Sequence, residues 1–97
     1  MSNITIGHVF ERRAPTIFGE RLTLSATLFS ERREIGWRSA DVYPSAHNEG
    51  ATHGVLLRDG GHGAFTGRGG NFCGKDWSRE DAEAAARAWV EKGVRPC

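Results

Sequence analysis

The sequence predicts a small α+β domain, an antiparallel sheet of four to five strands with one C-terminal amphipathic helix packed on one face. Three observations carry this. Residues Arg21 to Phe29 alternate strictly between apolar and polar side chains. Residues Ala82 to Val90 repeat their apolar positions at helical spacing and are bracketed by a start and a stop signal. Thirteen glycines spread over 97 residues demand turns and sharp bends and argue against a helical bundle. The length fits one domain spanning residues 1–97.

The first strand is expected over Asn3 to Phe10, with Ile4, Ile6, His8 and Phe10 on one face. Glu11 to Pro15 should break it, since Pro15 lacks the backbone donor that a central strand needs. In the second strand Leu22, Leu24, Ala26 and Leu28 point inward, while Thr23, Ser25 and Thr27 face water. Ser30 to Glu34 connects it to a third strand, Ile35 to Tyr43, whose alternation is blurred by Trp37 and Arg38. Pro44 to His53 has few apolar residues and is expected as a long loop. Gly54 to Arg58 forms a short apolar strand, and Asp59-Gly60 is a hairpin turn signal. His62 to Thr66 would return, Arg68 to Asn71 would turn again, and Phe72 to Trp77 would lead into the helix.

The helix begins at Ser78, an N-cap with Asp81 three residues on as a capping-box variant, and Trp77 is placed to staple onto Ala82. Ala82, Ala85, Ala86, Trp89 and Val90 make the buried stripe. Glu83, Arg87 and Glu91 make an outer face with pairing at a spacing of four. Gly93 closes the helix and Pro96 prevents its resumption. Trp89, Phe10 and Phe65 are expected in the core, with Trp37, Tyr43 and Phe72 at the surface.

A formal net charge of +1 excludes an acidic mimic of DNA and a protein that coats nucleic acid by bulk charge. Eleven arginines stand against two lysines, a bias suited to interfaces and also produced by GC-rich codon usage. Two cysteines, Cys73 and Cys97, are too few for a secreted disulfide scaffold. Met1 to Phe10 lacks the basic and apolar regions of a secretory signal, and no apolar run is long enough to cross a bilayer, so the cytoplasm is the expected compartment and no membrane partner is expected.

No motif in the chain specifies catalysis. Gly69 to Lys75 fits G-x-x-x-x-G-K, but Asp76 replaces the Ser or Thr that would hold magnesium, and the helix starts too late to receive a phosphate. His47 and His53 are separated by five residues and His53 and His62 by eight, without the tight pairs of a zinc site. A thiol–imidazole pair could be drawn from Cys73 with His62 or His53, but so short a chain leaves little from which to build a substrate pocket. No cofactor or metal is therefore expected.

What remains is a mixture of rings and cations: Trp37-Arg38, Phe65 to Arg68, and Phe72 to Lys75. Such mixtures form protein-binding hot spots or stack nucleic acid bases. The expected function is a non-enzymatic protein-binding module, an inhibitor or adaptor docking on a larger protein or nucleoprotein complex. Accessory proteins of phages and mobile elements, including inhibitors of bacterial defence systems, have this profile. The alternative is a nucleic-acid-binding domain using a sheet face and the Gly/Arg turn at Arg68. The order of strands followed by one helix is broadly similar to small three-stranded DNA-binding domains and to many small inhibitors, a likeness of architecture alone. The candidate contact residues are Trp37, Arg38, Tyr43, His47, Asn48, Arg68, Asn71, Phe72 and Lys75. Convergence of Arg21, Arg32, Arg33, Arg38 and Arg68 on one face would favour nucleic acid; neutralisation by Glu11, Glu20, Glu31 and Glu34 would disfavour it.

Overall fold

A computed structural model describes residues 4–45, 52–61 and 71–96. Its elements are β1 (Ile4–Ile6), β2 (Phe10–Thr16), β3 (Gly19–Ser30), β4 (Arg33–Ser45), β5 (Thr52–Gly61), β6 (Asn71–Trp77) and α1 (Arg79–Lys92). Every pairing is antiparallel. The sheet is a meander with the spatial order β1-β3-β4-β5-β6, and β2 shares the β3 edge with β1, so six strands occupy five positions. This is the expected fold class.

Helix α1 covers one face. Leu22 and Leu24 of β3, Ala40 and Val42 of β4, and Val55 and Leu57 of β5 stand in register and pack with Trp77, Ala82, Ala86, Trp89 and Val90. The small alanines let the helix approach the sheet closely, and Trp89 fills the space they leave. Its Nε1 donates to the carbonyl oxygens of Ser39 at 3.0 Å and Arg58 at 3.2 Å. Both helix ends follow the sequence. Ser78 Oγ accepts from the Asp81 amide, and Gly93, at φ 69°, closes the helix with its own amide on Trp89 O and that of Val94 on Ala88 O.

Four expectations about elements need correction. First, Glu11 to Pro15 is strand, not a break: β2 is an edge strand, where the missing donor of Pro15 is tolerated. Second, Asp59-Gly60 is no turn. β5 runs on to Gly61, and Gly60 sits opposite Trp37, where an added Cβ would stand 2.8 Å from the indole ring. That glycine serves close approach, not positive φ. Third, Pro44 and Ser45 pair with His53 and Thr52, so the strands extend into the expected loop; its remainder, 46–51, lies outside the described residues. Fourth, Asn71 to Trp77 is itself the return strand beside β5. The expected His62–Thr66 strand and Phe65 lie outside the described residues.

Phe10 is also misplaced by simple alternation. Ile6 pairs with Leu28 and Phe10 with Ser25, so four steps along the edge oppose three along β3. The extra residue is a bulge at Gly7 to Val9, fastened where the Gly7 amide donates to Thr27 O at 2.9 Å. It flips the register. Ile6 and Val9 pack against the core, while Phe10 turns to the opposite face and is 63% exposed.

Candidate functional site

Among the described residues the second face of the sheet carries no helix. Directly opposed residues of antiparallel strands share a face, so the pairings list its occupants. Phe10 aligns with Ser25, Ser39 and Arg58; Arg12 with Thr23, Asp41 and Leu56; Ala14 with Arg21; Tyr43 with Gly54; Thr27 with Trp37 and Gly60. The surface is therefore a floor of hydroxyls set with aromatic rings and arginines.

A groove of about 250 Å³ lies between Phe10 and Trp37, with Ser25, Ala26 and Thr27 beneath. His8 braces one wall, edge-on to Phe10 with ring centroids 4.9 Å apart. Gly60 permits the other, since the Trp37 indole rests where any larger residue would place its Cβ. Elsewhere on this face Asp41 is buried, but Thr23 Oγ1 donates to its Oδ1 at 2.7 Å and Arg21 Nη2 lies 3.1 Å away. A buried carboxylate satisfied in this way is structural. Burial and the Asp41 charge push the Tyr43 phenol above its ordinary pKa, so it stays a neutral hydroxyl.

A larger depression, about 540 Å³, lies on the outer side of α1 between Arg79, Glu83 and Arg87. Its charges are already used. Arg13 Nη2 reaches Glu83 at 2.8 Å and its Nη1 reaches Glu20 at 3.0 Å; Arg79 spans Glu20 at 2.9 Å and Glu83 at 3.0 Å; Arg87 pairs with Glu11. This network of three arginines and three glutamates holds β2 to the helix. Arg87 thus pairs with β2, and Glu83 with β2 and with Arg79 of its own helix, rather than with each other.

The candidate contact residues separate. Trp37 and Tyr43 stand on the uncovered face. Arg38 does not: it is half-buried under the helix, its Nε donates to Val90 O at 3.2 Å, and its guanidinium sits 5.9 Å from the centre of the Trp89 ring. It is a support for the helix C-terminus and does not stand on the uncovered face with Trp37. Asn71, Phe72 and Lys75 belong to edge strand β6. His47, Asn48 and Arg68 lie outside the described residues. The four described arginines of this set do not converge: Arg21 is tied to Asp41, Arg32 and Arg33 lie at the β3–β4 turn, and Arg38 is under the helix.

Sequence reasoning missed Phe10, Arg12, Arg58 and the tip of the β2–β3 hairpin. That two-residue turn is Ile17-Phe18, 91% and 57% exposed, with Thr16 Oγ1 accepting from the Phe18 amide and donating to Gly19 O. Turns favour Gly, Asn, Asp and Ser. An Ile-Phe pair between two β-patterned segments is the signal that was available in the sequence.

Among the described residues no three His, Cys, Asp or Glu side chains gather as a metal site requires, and no helix is long and apolar enough to cross a membrane. The chain matches no protein-family model, no curated protein and no solved structure.

Proposed function

We propose that this chain is a non-enzymatic protein-binding module, an inhibitor or adaptor that docks on a larger protein through its uncovered sheet face and the adjoining β2–β3 tip. One observation carries the reading. Among the described residues, the exposed large apolar side chains are Ile4, Phe10, Ile17, Phe18, Ile35 and Val94, and all but Val94 belong to the strands and their turns. Exposed apolar surface set among polar residues marks an interaction site. The alternative, nucleic acid, is less well supported. A platform for single strands follows the backbone with many cations, and the uncovered face offers Arg12, Arg21 and Arg58, of which Arg21 is engaged by Asp41.

The test is an affinity capture from host lysate, split into nuclease-treated and untreated halves, with wild type beside Phe10→Ser. Phe10 is exposed, so the variant should melt within about 0.5 kcal/mol of wild type. A protein retained after nuclease by wild type and lost by Phe10→Ser supports the reading. Recovery that collapses on nuclease treatment transfers it to nucleic acid.

A further inference from the structure

We infer that the groove between Phe10 and Trp37 is a receptor for one aromatic side chain of the partner, presented on an acidic segment; this rests on the protein-docking reading and names the chemistry the docking site takes. Three features of the fold exist to form this groove. The bulge at Gly7 to Val9 turns Phe10 outward, and bulges at sheet edges commonly re-aim a side chain. Gly60 leaves room for Trp37 to lie across β5. The floor between them is made of the small residues Ser25, Ala26 and Thr27.

Size and charge then select the occupant. Phe10 and Trp37 stand two strands apart and two residues out of line, roughly 12 Å at the backbone, which leaves room between their side chains for one flat ring touching its walls at about 3.5–4 Å. The groove, about 250 Å³, is below the roughly 300–1,000 Å³ of pockets that take drug-sized ligands and suits a single side chain. Arg12 lies two residues along β2 from Phe10, and Arg58 lies diagonally across from Trp37. Both are exposed, and among the described residues neither forms an ion pair. Arg12 stands beside the Phe10 wall and Arg58 beside the Trp37 wall, both on the same side of the line joining the two rings. This favours carboxylates on the segment that leaves the inserted ring toward that side, and arginine binds carboxylates in bidentate fashion. Among the described residues the two available cations are too few to follow a phosphate backbone, which favours an acidic protein segment over a nucleic acid.

The test titrates the ¹⁵N-labelled full chain with four probes: the blocked peptides Glu-Asp-Phe-Asp-Glu, Glu-Asp-Ala-Asp-Glu and Lys-Lys-Phe-Lys-Lys, and octathymidylate. The acidic Phe peptide should shift the Trp37 indole N–H and the amides of Phe10, Ser25 and Thr27 saturably, with Kd on the order of 1 mM for so short a probe. Replacing its Phe by Ala, or its acids by Lys, should weaken binding at least about tenfold, as should Phe10→Ser or the pair Arg12→Glu and Arg58→Glu. The absence of a saturable shift up to about 10 mM, an equal response to the lysine peptide, or tighter binding of octathymidylate overturns the inference. The two readings fail separately. A nuclease-resistant partner still captured by Phe10→Ser and by the double arginine variant removes the groove while leaving a docking module in place.

Discussion

Trp89 and Arg38 form the most consequential side-chain pair in the molecule. The indole is nearly buried, donates to carbonyl oxygens on two adjacent strands, and lies between the guanidinium groups of Arg38 and Arg95, each 5.9 Å from the ring centre. Trp89→Ala removes the largest side chain on the buried face of the helix and leaves those carbonyls without a donor, so it should destabilise by about 3–5 kcal/mol in urea titration. Arg38→Ala loses a hydrogen bond to the last turn of the helix and a cation–ring contact in a half-buried site; about 1–2 kcal/mol is expected. Equal stability of Arg38→Ala and wild type would return Arg38 to the candidate contacts. Trp89 was legible because aromatic burial follows from helical periodicity. Arg38 was not, because alternation along β4 gives its face but not what covers that face.

At the scale of elements, the helix and the central strand β3 followed from periodicity and caps, while the errors arose where one residue changes a register or where a glycine has a use other than a turn. The Gly7 to Val9 bulge moved Phe10 from the core to the surface, and Gly60 makes space for Trp37 inside a continuous strand. The β3–β4 hairpin shows the converse. Its two turn residues, Glu31 at φ 51° and Arg32 at φ 65°, occupy the left-handed region without being glycine or asparagine. The paired change Glu31→Asn and Arg32→Gly installs the residues this turn prefers and should stabilise by about 1–2 kcal/mol, read as a raised melting midpoint. A second prediction concerns the bond between β2 and α1. The hydrogen bond from Arg13, aided by Arg79, holds the Glu83 carboxyl at about 2 against an ordinary 4.5, and Arg87 lowers that of Glu11. A folded-state pKa below the unfolded one gives stability that is complete above the unfolded value and is lost as pH falls. The melting midpoint should therefore drop between about pH 4.5 and 2. Glu83→Gln should lower it at neutral pH, by about 1 kcal/mol or less given the exposure of its partners, and flatten the acid slope. An unchanged slope in that variant would mean that the contact between β2 and α1 does not depend on this carboxylate.

Across the whole molecule the two faces of the sheet carry different kinds of surface. On the helix side the apolar residues between helix and sheet are packed, and Arg13, Arg79 and Arg87 pair with Glu11, Glu20 and Glu83. Among the described residues the uncovered side keeps the rings of Phe10, Trp37 and Tyr43, the arginines Arg12 and Arg58 outside any ion pair and, at its edge, an apolar hairpin tip. The tip does not stabilise the fold, because Ile17 and Phe18 touch too little to matter there, and in water they cost solubility. A membrane is a poor occupant for it. The nearby charges of Arg13, Arg79, Glu20 and Glu83 balance among themselves, leaving no cationic cluster there among the described residues to attract an anionic lipid surface. The network that binds β2 to the helix also fixes the hairpin bearing the tip, so the tip reaches a partner already ordered and loses little entropy on docking. The double change Ile17→Ser and Phe18→Ser should leave the melting midpoint within about 0.5 kcal/mol of wild type. It should also weaken capture of the nuclease-resistant partner by at least about tenfold, since truncation of a buried apolar anchor at an interface commonly costs 2 kcal/mol or more. Capture that is unaffected confines docking to the Phe10–Trp37 groove, whereas a large loss of stability would show that the tip packs against the fold and is not an anchor.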